Sequence, residues 1–132
     1  MRRIDYIVIH CTATSPLARV ESIQRYWRDV MHWSRPGYHY IIEQNGKVWQ
    51  LLPEADVSNG VRGYNQNSVH VCYIGGLSKD DRSDAQKKAM IDLIKQLKRK
   101  YPAARIQGHR DFPGVTKRCP QFDAKKEYIW IS

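Results

Sequence analysis

Apolar and polar residues follow two different periods along this chain, and the switches between them mark its elements. Tyr6 to His10, Y-I-V-I-H, is apolar at both parities and rich in β-branched residues, which predicts a central strand covered on both faces. From Arg19 to about Trp33 the period becomes three to four. Val20, Ile23, Trp27, Val30 and Met31 then share one face of a helix, and Ser34, Pro36 and Gly37 end it. Tyr38 to Gln44 and Lys47 to Leu52 flank Asn45-Gly46, a strong short-range hairpin signal because both residues tolerate positive φ. Pro53 to Ser68 is a long connection rich in Gly and Asn, of the kind that is functional or wraps as an Ω-loop. Val69 to Ile74 reads as another buried strand, closed by Gly75-Gly76. Ser83 with Gln86 fits a capping box, and Met90, Leu93, Ile94, Leu97 and Tyr101 form the helical stripe behind it, stopped by Pro102. Ala104 to Gln107 predicts a short strand. Ala124 to Ile131 predicts a last helical turn or two, with Tyr128 and Trp130 covering a sheet face.

Strands alternating with helices, plus one hairpin, predict an α/β fold with a mixed central sheet flanked by helices. The 132 residues, 42% of them hydrophobic, suit a single domain over residues 1–132 with one core. No apolar run approaches the roughly 18 residues that span a membrane. The N-terminal run is broken by Asp5 and His10, so it is expected to be a strand and not a secretory signal. The formal charge of +9 favours acidic partners without choosing among nucleic acid, an anionic membrane and a bacterial cell wall. The basic residues of K-Q-L-K-R-K lie mostly off the apolar stripe, as on a solvated helix face. Cys11, Cys72 and Cys119 are odd in number and widely spaced, which is no disulfide framework and points to reduced thiols.

Candidate chemistry concentrates in G-H-R-D-F-P-G-V-T-K-R-C-P-Q-F-D, residues 108–123. His109 and Cys119 are natural zinc ligands, and Pro113-Gly114 between them breaks any helix. Two ligands do not make a site, and on this stretch alone a metal loop and a solvated surface loop stand level. His10 changes that, because it ends one strand as His109 follows another, and ligands commonly bind where strands end in α/β sheets. His10, His109 and Cys119 give three protein ligands with one position open, the pattern of catalytic zinc. Cys11 adjoins His10 and in extended chain points to the opposite face, so it is expected to be a small buried residue. Lys117 lies near Cys119 in sequence, and Tyr38 brings a phenol at the hairpin start. Spacing alone leaves the roles of both open. Trp33 is open between groove and core, whereas Trp27 and Met31 are expected in the core.

Four blocks carry a resemblance in register: H-C-T-A-T at 10–14, G-Y-H-Y-I-I at 37–42 followed by N-G, G-Y-N-Q-N-S-V-H-V-C-Y-I-G-G at 63–76, and the 108–123 stretch. Together they resemble the zinc-dependent type 2 N-acetylmuramoyl-L-alanine amidases, the phage lysozyme-type amidases above all, with peptidoglycan recognition proteins as relatives. The resemblance implies cleavage of the amide between the lactyl group of N-acetylmuramic acid and L-alanine. It implies zinc on His10, His109 and Cys119, a catalytic tyrosine at Tyr38 and a catalytic lysine at Lys117. Members that only recognise peptidoglycan commonly lack the cysteine ligand, so Cys119 favours an active enzyme over a non-catalytic peptidoglycan-binding module. Two positions depart from the pattern: Gly60 stands where relatives often carry histidine, and His70 where they often carry glycine. The expected partner is bacterial peptidoglycan, with no membrane and no nucleic acid, and the chain is expected to be a monomer. It resembles a phage or prophage endolysin, and it is expected to be made in the cytoplasm without a signal peptide and to act on the wall after release or non-classical export.

Overall fold

A computed structural model describes residues 2–132. Its centre is a sheet of five strands: β1 (Tyr6–Cys11), β2 (Tyr40–Ile42), β3 (Val48–Gln50), β4 (Ser68–Tyr73) and β5 (Arg105–Gly108), ordered β3-β2-β4-β1-β5. All neighbours are parallel except the β2–β3 hairpin, so the sheet is mixed as expected, with the antiparallel strand at one edge. The helices are α1 (Val20–Asp29), α2 (Asp84–Lys100) and the short α3 (Ala124–Glu127).

Strand parity divides the molecule into two layers. Ile7, Ile9 and Cys11 of β1 join Val69, Val71 and Tyr73 of β4 under Met90, Ile94 and Leu97 of α2. The opposite face carries Ile41 and Cys72 beneath Val20, Ile23 and Trp27 of α1. Val8 on that same face packs with Val61 and Phe112 from the loops. Burial on both faces is why β1 and β4 read as continuous apolar runs instead of alternating ones. It also forces the histidines of those strands inside: His10 and His70 are fully buried, as is His39 just before β2.

Three elements differ from expectation. Helix α1 stops at Asp29, well short of Trp33, because His32 takes a left-handed φ of 55° and the Trp33 N–H turns back to the Trp27 carbonyl at 2.9 Å. Val30 and Met31 are consequently exposed instead of sharing the buried face. In the hairpin only Gly46 uses positive φ, at 88°; its N–H bonds the Glu43 carbonyl at 2.8 Å, giving a turn closed by a glycine bulge. At the C-terminus Tyr128 is buried as expected, but Trp130 is exposed and lies under the Lys95 ammonium rather than on the sheet.

The long 53–68 connection is a wrap, and Arg2 ties it. Its guanidinium donates to the carbonyls of Ala55, Asn65, Gln66 and Ser68 at 3.0–3.2 Å.

Candidate active site

The parallel pairing of β1 with β5 sets Ile9 beside Gly108, so the next residues, His10 near the end of β1 and His109 just past β5, come to the same end of the sheet. Their ring centroids are 4.9 Å apart. The loop after His109 is anchored by Phe112 against Val8 and Val61, and the Arg110 N–H closes it onto the Cys119 carbonyl at 2.9 Å. Gly108 makes the return possible, since a Cβ there would meet Pro120 Cδ at 2.7 Å. One ligand atom from each of His10, His109 and Cys119 then lies within 4.8 Å of the others. Cys11 is buried on the α2 side as its parity requires, and its N–H donates to Cys119 Sγ at 3.0 Å.

The electrostatics suit cation ligands. Burial first, then the neighbouring His70, His109, His39 and Lys117, hold His10 well below the ordinary histidine range, so its imidazole is neutral. Burial and Lys117 lower His109 in the same direction. In the protein alone the adjacent Cys11 thiol, and after it burial, push the Cys119 thiol well above its usual value. A cation reverses that order, because thiolate is the form that ligates. His10 Nδ1 is buried and has no hydrogen-bond partner among the described residues. A buried lone pair of this kind costs stability unless something occupies it. Two neutral imidazoles and a thiol with an open side fit zinc, which favours nitrogen and sulfur donors.

Tyr38 precedes β2 and wedges between His10 and Trp27, with ring centroids 4.8 and 5.3 Å away. Burial raises its phenol well above the ordinary tyrosine value, so it remains an O–H donor. A groove of about 480 Å³ opens beside it, lined by Thr12, Tyr26, Trp27, Trp33 and Lys117. Lys117 is exposed at the rim. All five residues singled out in the sequence therefore converge on one edge of the sheet. Trp33 lines the groove, and Trp27, expected in the core, is both buried and part of the groove wall.

The sequence did not single out a catalytic part for His70 or Asn65. His10 Nε2 lies 2.8 Å from His70 Nδ1, and His70 Nε2 lies 3.0 Å from Asn65 Oδ1. The two departures from the family pattern meet here as well, because a Cβ on Gly60 would fall 2.3 Å from His70 Nδ1. A histidine inside an apolar strand was the available signal, since a buried polar ring needs a partner; which partner depends on strand register, which spacing does not give.

Residues 1–122 match the family described as N-acetylmuramoyl-L-alanine amidase. The endolysin of Escherichia phage T7 is 34% identical over 128 residues, covering 92% of this chain and 83% of that protein. Among solved structures, the Ph2119 endolysin from a Thermus scotoductus bacteriophage superposes with a TM-score of 0.84 at 28% identity, covering 91% of this chain and 79% of that one. Bumblebee PGRP-SA shares the fold with a TM-score of 0.82 at 24% identity, covering 98% of this chain and 82% of that one.

Proposed function

This chain belongs to the N-acetylmuramoyl-L-alanine amidase family and is an amidase, and from that premise we propose that it is a zinc-dependent endolysin. The bond it cleaves joins the lactyl group of N-acetylmuramic acid to L-alanine in bacterial peptidoglycan. The observation that carries the zinc reading is the buried, unpartnered His10 Nδ1 inside the His10, His109 and Cys119 cluster.

Those three residues would hold the metal, which when bound supplies a Lewis acid for a carbonyl and acidifies water. The chain's own groups do the rest. Tyr38 keeps its proton and can donate to the oxygen on which negative charge develops. Lys117 places a cation on the same groove wall, where it favours that charge and repels none of the neutral imidazoles. Trp27 and Trp33 offer flat apolar faces that position the substrate along the groove and exclude water from one side. A proton must reach the leaving alanine nitrogen, and the Tyr38 hydroxyl and the Lys117 ammonium are donors on the groove wall that can deliver it.

Mass spectrometry of purified peptidoglycan after incubation with the protein tests this reading. Free N-terminal L-alanine should appear on released stem peptides, with the glycan strands left uncut, and a chelator should abolish the release until zinc is restored. Chelator-resistant release would remove zinc from the mechanism. Binding to the wall without any release would make the chain a recognition module.

A further inference from the structure

We propose that His70 is a positioning residue which, held by Asn65, fixes the tautomer of His10 so that Nδ1 is the atom offered to the cation. This rests on the metal site proposed above.

The assignment starts from a donor that has no choice. The Val61 backbone N–H can only donate, and it points at Asn65 Oδ1 from 2.7 Å, so that amide atom is the oxygen. His70 Nε2, 3.0 Å from the same oxygen, must then carry a hydrogen. His70 is fully buried and bonds no carboxylate among the described residues, so its imidazole is neutral with one N–H, which leaves Nδ1 as an acceptor. His10 Nε2 lies 2.8 Å from it and donates. The proton of His10 is thereby placed on Nε2, and its lone pair on Nδ1, the buried atom without a partner among the described residues.

The main chain of His70 is held as well. Its main-chain N–H donates to His39 Nδ1 at 3.0 Å, and His39 Nε2 donates to the Asp56 carbonyl at 2.8 Å. The two rings lie parallel, 5° apart in plane and 5.9 Å between centroids. Gly60 leaves the space that His70 fills, since any side chain there would begin 2.3 Å from Nδ1. Without the acceptor, the Nε2–H of His10 is left buried and unpaired, or its proton moves to Nδ1 and blocks the lone pair. Partners of this kind behind a metal ligand typically change metal affinity by about 10–100-fold.

Long-range proton–nitrogen NMR of the uniformly labelled, zinc-free chain reads the tautomers directly. Protonation of both His10 and His70 on Nε2 is expected; a His10 protonated on Nδ1 would overturn the proposal and needs no variant. Zinc affinity is then measured by competition with a chromophoric chelator. His70→Leu should bind roughly 10–100-fold more weakly than the parent, while His70→Asn, which returns an acceptor oxygen near the Nδ1 position, should recover most of the loss. Unchanged affinity in His70→Leu, or equal loss in both variants, would reduce His70 to packing. A parent chain that binds no zinc would refute the metal site, and the NMR tautomers would still judge His70.

Discussion

At position 60 even one methyl group is too large. Gly60→Ala puts a carbon where His70 Nδ1 already sits, so either the loop or the imidazole must move. Zinc affinity in the chelator competition should fall in that variant although no ligand has been changed; affinity equal to the parent would show that the loop yields instead. Lys117 and Cys119 separate differently. Lys117→Ala removes a cation from the groove wall but no ligand, so turnover should drop by roughly 10²–10³ while the zinc content stays at that of the parent. Cys119→Ser should lose zinc as well as activity, and a metal-free but active Cys119→Ser would refute the ligand set. The two histidine ligands were legible because they stand at the ends of strands that the apolar pattern marks, and Cys119 because its thiol shares one short loop with His109. His70 and Asn65 were not, because the contact of His70 with His10 comes from the parallel register that sets Val8 beside His70, and Asn65 reaches His70 from a loop that returns beside it. A linear pattern encodes which face a residue takes, not which residue of the neighbouring strand it meets.

At the scale of elements, helix α2 was the most legible, because its start signal and its apolar stripe agree. The Ser83 hydroxyl accepts from the Gln86 N–H at 3.0 Å, and the Gln86 side chain accepts from the Ser83 N–H at 2.9 Å. The sequence pattern shows that box but not the second task of Gln86. Its Nε2 donates to the carbonyls of Ile42 and Ile74 at 3.2 and 3.0 Å, joining the helix start to the ends of β2 and β4. Two variants distinguish the tasks by urea unfolding. Ser83→Ala should cost about 1 kcal/mol, the usual size for a lost cap. Gln86→Leu should cost more, about 1–3 kcal/mol, because buried carbonyls lose a donor. Equal losses would mean that the sheet contacts add nothing. Helix α1 was legible in its face but not in its length. Val30 and Met31 fit the helical period, and what stops the helix is the left-handed turn at His32 with the stacking of Trp33 on Trp27, a tertiary contact beside the groove.

At the scale of the whole molecule, the far side from the groove is fastened by one carboxylate that no motif marks. Glu54 leaves the hairpin and accepts hydrogen bonds from Tyr40 Oη, from Tyr101 Oη at 2.7 Å and from the Lys100 ammonium at 3.1 Å. It thereby joins β2, the end of α2 and the start of the 53–68 wrap, which Arg2 also fastens. Burial alone would raise the Glu54 carboxyl, but the bonds from Tyr40, Tyr101 and Lys100 outweigh it, and its value lies below the ordinary one. The folded chain therefore holds this proton less tightly than the unfolded chain does. The stabilisation is fully present above the ordinary glutamate value of about 4.3 and is lost as pH falls through the lower folded value. Glu54→Gln keeps the shape and cannot titrate. It should be less stable than the parent in urea at pH 7, and the gap between them should narrow as the pH is lowered below about 4. A gap that stays constant with pH would assign the loss to geometry and leave the charge of Glu54 without a part in holding the wrap.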